Sequence, residues 1–163
     1  MKETQDKLRK KQKEIDLKIH NITESRLRAV LFEAQRDAPV DMAHLKQSGG
    51  FEMGKRDGKV FFNAKYAPFV EFGTKTKVKV PKGFEKLAIQ YKGIKDNRPF
   101  QDFKNDVYEW AKRKGIPEKA WYFVLMKIIK VGVNPKPFLI PPYIKHRTRY
   151  KKEVKDYIDA VQW

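Results

Sequence analysis

With 163 residues, 40% hydrophobic and 13% aromatic, the chain is long and apolar enough to bury a core, and too apolar to be wholly disordered despite 35% charged residues. Its 37 basic and 20 acidic residues give a net charge of +17, which favours polyanions or acidic protein surfaces as partners. The lack of cysteine excludes disulfides, thiolate metal sites and cysteine nucleophiles, and the longest apolar run, residues 120–126, falls far short of the roughly 20 residues that cross a bilayer.

Residues 3–36 contain no proline or glycine and carry Leu8, Ile15, Ile19, Ile22, Leu27, Val30, Leu31 and Ala34 at spacings of mostly three, four and seven, which predicts a long amphipathic helix. Its first dozen residues offer few apolar positions and are expected to project from the body, with neither a signal peptide nor a membrane anchor because no apolar run follows them. Asp37, Ala38 and Pro39 end the helix, since a proline pushes the residue before it out of the α region. Asp41 is placed to cap a short helix over 44–47. Ser48, Gly49 and Gly50 then break it, and residues 51–53 and 60–63 read as a β-hairpin turning at Arg56, Asp57 and Gly58. Val78 and Val80, alternating with Lys77 and Lys79, suit another strand with one wet face.

Farther on, Phe103, Val107, Tyr108, Trp110 and Ala111 mark an amphipathic helix closed by Gly115. Pro117 suits the first turn of a second helix to about residue 130, with Ala120, Phe123, Val124, Met126 and Ile128 on its buried side. Prolines at 135, 137, 141 and 142 keep 134–142 extended, and a final helix over 143–161 places Ile144, Arg147, Tyr150, Val154, Ile158 and Val161 near one face. The predicted fold class is α+β: a small antiparallel sheet of three to five strands packed by long N-terminal and C-terminal helices. It forms one domain over 1–163, with a helical hairpin inserted at about 84–133.

Signs of catalysis are sparse. His20, His44 and His146 sit in three separate elements without metal-ligand spacing and read as surface or capping residues. Gly49-Gly50 lacks the residues of a phosphate loop, and no cofactor is expected. Glu71, among Tyr66, Ala67, Pro68, Phe69, Val70 and Phe72, has the apolar neighbours that raise a general base; the plainer reading points it to the sheet rim as a hydrogen-bond acceptor. Basic residues cluster at 7–13, 75–95 and 145–155. In the last cluster Lys145, Arg147, Arg149, Lys151, Lys152 and Lys155 stand beside Tyr143 and Tyr150, giving an alternative reading as a nucleic-acid-binding protein that lays this helix along phosphates.

Three blocks carry a resemblance. Ala38-Pro39-Val40-Asp41-Met42-Ala43-His44-Leu45 resembles the A-P-V-D-T-G-x-L signature of the gene-product-ten-like tail components of tailed bacteriophages, found among neck and tail-completion proteins. Tyr66-Ala67-Pro68-Phe69-Val70-Glu71-Phe72-Gly73-Thr74 resembles that family's Y-A-x-x-V-E-F-G-T block, and Pro137-Phe138-Leu139 with Pro142 resembles its P-F-L-x-P-A block. Order and spacing agree over most of residues 15–160. Met42 and Ala43 depart from the pattern by standing where the family has Thr and Gly, and Tyr143 replaces a small residue. Trp110 with Lys114-Gly115-Ile116 resembles an insertion of longer members.

The resemblance implies a structural virion protein, not an enzyme, assembled in the host cytoplasm into a homo-oligomeric, sixfold ring around the DNA channel. Its neighbours would be a head-closure or connector protein and the tail-tube protein, with nonspecific proximity to genomic double-stranded DNA and no membrane partner. Independently of the family, Gly73 is expected to permit a turn, Pro68 to stiffen the approach to it, and Phe138 to anchor the final helix to the sheet or to a neighbouring subunit.

Overall fold

The computed structural model of the chain describes residues 2–40, 43–54, 57–74, 80–90 and 100–161. Its elements in order are α1 (Lys2–Asp37), α2 (His44–Gln47), β1 (Gly49–Met53), β2 (Gly58–Phe62), α3 (Ala67–Phe72), α4 (Glu85–Ile89), α5 (Phe100–Arg113), α6 (Glu118–Val131) and α7 (Ile140–Ala160). The fold is α+β, mostly helical, with long helices at both ends and a small antiparallel sheet. No helix among the described residues is long and apolar enough to cross a membrane. The chain divides into two compact units: Met1–Ala67 with Pro137–Trp163, and Pro68–Lys136.

In the first unit α1 packs on the sheet on one side and on α7 on the other. Leu31 and Leu27 reach the sheet where it carries only glycine: a Cβ on Gly49 would stand 3.0 Å from Leu31 and 2.7 Å from the Phe62 ring, and one on Gly58 would collide with Leu27. Glycine there lets helix and sheet approach closely. Arg28 completes this side, stacking its guanidinium 5.0 Å from the Phe51 ring centroid. Val30 and Ala34 are buried, as their spacing demands.

Toward α7, Arg26 pairs with Glu153 and Glu33 with His146. Both pairs are separated by seven residues on each helix and run in opposite directions, so α1 and α7 are antiparallel and meet every second turn. The first turns of α1 continue as exposed helix, with Leu8 59% exposed.

The sheet has two strands among the described residues, in antiparallel register from Gly49↔Phe62 to Met53↔Gly58. Three to five were expected; the strand predicted at Val78 and Val80 lies largely in 75–79, outside the described residues. The hairpin turn also differs. Gly58, expected in the turn, already belongs to β2, and Gly54 N donates to Asp57 O at 2.8 Å, while Arg56 lies outside the described residues.

Helix α7 begins three residues earlier than predicted, because Pro141 and Pro142 occupy its first turn, where no intrahelical N–H is needed. Its buried side is likewise shifted: Ile140, Pro142 and His146 are buried, whereas Ile144 and Ile158 are 41% and 43% exposed.

The second unit contains α4, which the sequence did not announce, and the predicted helical hairpin. Trp121 of α6 packs edge-on against Tyr108 of α5, ring centroids 5.2 Å apart. Gly115, at φ 67°, turns the chain between the helices. Pro117 caps α6 from the position before its first turn. The face of α6 differs from expectation: Leu125 is its buried residue and Phe123, assigned to the core, is 74% exposed.

Candidate functional site

The three motif blocks become structural joints. In the first, Ala38 is buried and closes α1, its N–H donating to Ala34 O at 2.9 Å. Pro39 follows, Val40 is exposed, and Leu45 is one of the most deeply buried side chains. Asp41 and Met42 lie outside the described residues. The cap position of α2 is Ala43, with no side-chain capping bond, and the expected Asp41 cap falls outside the described residues. Ala43 has φ 57°, the one positive φ at a non-glycine among the described residues. It is the position where the family pattern has glycine.

The middle block forms the turn after β2 and then α3. Tyr66 lies 6.0 Å from the His44 ring in the first unit, and Ala67 is buried. Pro68 sits in the first turn of α3, which it can occupy without losing a hydrogen bond. Val70 is half-buried and Phe72 buried. Glu71 is 7% exposed on this helix, not on a sheet rim.

Gly73 closes α3: its N–H reaches Phe69 O at 2.9 Å, and its φ of 68° turns the chain. Thr74 then binds the segment after α6 twice. Its N–H donates to Val133 O at 3.1 Å, while its hydroxyl oxygen accepts from Val133 N at 2.7 Å. Lys136 N donates to Val70 O at 2.8 Å beside them. Space at Gly73 is filled, because a Cβ there would stand 2.7 Å from Val133 O and 2.8 Å from Pro135 N.

The last block opens α7. Pro137 is exposed, and Leu139 is the cap residue of the helix that Pro142 helps to start. Phe138 between them is 1% exposed and meets Phe62 of β2 edge-to-face, ring centroids 4.9 Å apart, so it anchors the helix to the sheet.

A polar cluster on the α1–α7 seam went unread in the sequence. Lys145 Nζ donates to Glu33 Oε1 at 2.7 Å, and His146 Nε2 lies 3.1 Å from the same oxygen. The Lys145 hydrogen bond first, then that of His146, holds Glu33 down from 4.5 to about 2. An ionised carboxylate only accepts, so the histidine presents an N–H at Nε2. His146 is 3% exposed, not a surface residue, and its Nδ1 is buried without a hydrogen-bond partner among the described residues. Seven-residue spacing of Arg26 and Glu33 against His146 and Glu153 was the available signal. Nearby, Arg26 Nε donates to Glu153 at 2.9 Å, and the Thr23 hydroxyl donates to Ile19 O at 2.8 Å.

The chain matches no protein-family model, no curated protein and no solved structure.

What remains is a set of joints and surfaces. Among the described residues no group of three or more His, Asp or Glu is placed to hold a metal ion. Basic side chains line the outer side of α7, where Arg147, Lys151 and Lys155 recur every four residues and are exposed. Lys151 and Lys155 also line an open groove of about 320 Å³ together with Tyr150, Val154, Ile158 and Asp159.

Proposed function

We propose that this chain is a structural subunit of a tailed-bacteriophage neck, a tail-completion or head-to-tail joining protein that forms a ring around the DNA channel. It acts by shape, offering complementary flanks to copies of itself and to the layers above and below. One observation carries the reading. Within the three blocks the family pattern has glycine at two of the matched positions, and at both the backbone is left-handed, φ 57° at Ala43 and φ 68° at Gly73. Such a backbone is what a glycine in the pattern would serve, and an alanine retains it at one of the two sites. Burial of Ala38, Leu45, Phe72 and Phe138 supports a scaffold role for the blocks.

A reconstruction of the virion neck tests this: density for the chain should encircle the channel between the head-closure and tail-tube layers. Purified particles without the chain would overturn it.

A second reading rests on the exposed row Arg147, Lys151 and Lys155, about 6 Å apart along the helix axis. It makes the chain a nucleic-acid-binding protein, and tight, saturable binding of random duplex by the isolated protein at physiological salt would favour it.

A further inference from the structure

Helix α6 has more apolar surface than α5 can cover. Its Trp121 packs on Tyr108 of α5, Leu125 one turn farther on is buried, and α5 buries Val107 and Ala111. Around the helix from them lie Tyr122, Met126 and Ile129 at i, i+4 and i+7, with Tyr122 53% and Ile129 48% exposed and Phe123 74% exposed beside them. A helix of a two-helix hairpin needs one apolar stripe, and a second one marks a docking face. Lys119, Lys127 and Lys130, all exposed, surround Phe123 and select an acidic occupant.

This chain supplies one. Asp102, Asp106 and Glu109 lie at i, i+4 and i+7 on α5, all exposed and on the side away from Val107 and Ala111; exposed Arg113, one turn past Glu109, ends the row, and Asp106 also interacts within its own chain. They form an acidic row about 10 Å long on a molecule of charge +17. Lys119 and Lys127 are about 12 Å apart along α6, a comparable reach. Because the acidic row points away from its own α6, it meets those lysines only on another copy.

We infer that the open face of α6, centred on Phe123, docks on the acidic outer row of α5 in a second copy of this chain. The two patches differ, so the contact is heterologous and repeats from copy to copy. It deepens the ring reading and rests on it for closure of that repeat. Pairing α6 with α6 would instead set lysines against lysines.

The natural absence of cysteine makes a direct test possible. In the full chain, Glu109→Cys and Lys127→Cys are made singly and together, oxidised, and run on a non-reducing gel. The expected result is a ladder of covalent multimers from the double variant, abolished by adding Phe123→Ser, with each single variant remaining monomeric. Opposite outward sides of the hairpin put the two positions beyond the roughly 7 Å a disulfide can bridge, so an intramolecular link would overturn the geometry. Dimers from Lys127→Cys alone would overturn the heterologous contact in favour of a symmetric one, and a double variant that stays monomeric would overturn the docking itself. Mass spectrometry of purified particles reports on the neck reading separately: a chain present in particles without the ladder sinks this contact alone.

Discussion

One exchange made in opposite directions at the two left-handed positions should have opposite effects. Ala43 holds φ 57°, which costs an L-residue about 1–2 kcal/mol; replacing it by glycine removes that strain and adds back about 0.4–1 kcal/mol of unfolded-chain entropy. Ala43→Gly should therefore stabilise by about 0.5–1 kcal/mol. At Gly73 the same terms reverse, and a clash is added, because the new Cβ would stand 2.7 Å from Val133 O and 2.8 Å from Pro135 N, backbone atoms that cannot rotate away. Gly73→Ala should cost about 1–3 kcal/mol. At about 2–4 °C per kcal/mol for a chain of this size, thermal unfolding followed by circular dichroism should move up by about 1–4 °C for the first variant and down by about 2–12 °C for the second. Urea midpoints at unchanged slope provide the check that both report folding stability. If both variants lose stability to the same degree, the account of these positions as glycine sites is wrong.

Phe138→Ala, which empties the contact with Phe62, should cost about 3–5 kcal/mol by urea unfolding, while Phe138→Leu should cost far less; equal losses would mean that ring packing is not what seats α7. Glu33 titrates at about 2 against an ordinary 4.5, so its stabilising effect is complete above about pH 4.5 and is lost as pH falls toward 2. Glu33→Gln should flatten the stability profile across that window, leaving the contribution of Asp37, held low by Arg36 with the same sign. An unaltered slope in urea titrations at several pH values would refute the assignment. Replacing Arg147, Lys151 and Lys155 together by Ala should make random-duplex binding less salt-dependent, reducing the log–log slope by up to about 2.7 if each meets a phosphate, and leave it unchanged if none does.

The sequence announced long helices well and faces poorly. Helix α1 was legible because 36 residues without proline or glycine leave no other option, and the Gly115 turn because a glycine follows a complete amphipathic pattern. For α6, periodicity could not choose a buried side, since ten apolar residues surround the helix; only tertiary packing buries Leu125 and leaves Phe123 outside. In α7 the prolines, taken as sequence, point to an extended segment, although in a first turn they lack nothing the helix uses. Starting at Ile140 moves the buried side by about one position and puts His146, not Arg147, against α1. That shift hid the Glu33 cluster. The motif blocks were legible as a set, but their left-handed turns at Ala43 and Gly73 and the bonding of Thr74 to Val133 emerge only from the backbone.

In the proposed ring, subunits each carrying +17 would have to be held by forces that outlast self-repulsion. At physiological ionic strength fields decay over about 8 Å, so charges on distant faces of neighbouring copies are muted while those within one contact are not. The proposed α6 contact would answer both demands: Tyr122, Phe123 and Ile129 would lose exposed apolar surface to it, a gain that salt does not weaken, and the lysine rim against the α5 acids would set which face meets which. The outer row of α7 is different in kind, with Arg147, Lys151 and Lys155 presenting charge to solvent. Added salt would thus loosen whatever α7 holds, an acidic neighbouring layer or the phosphates of DNA, before it loosens copy from copy. On the proposed reading, cohesion within the ring and attachment of the ring to its surroundings would therefore rest on physically separable surfaces.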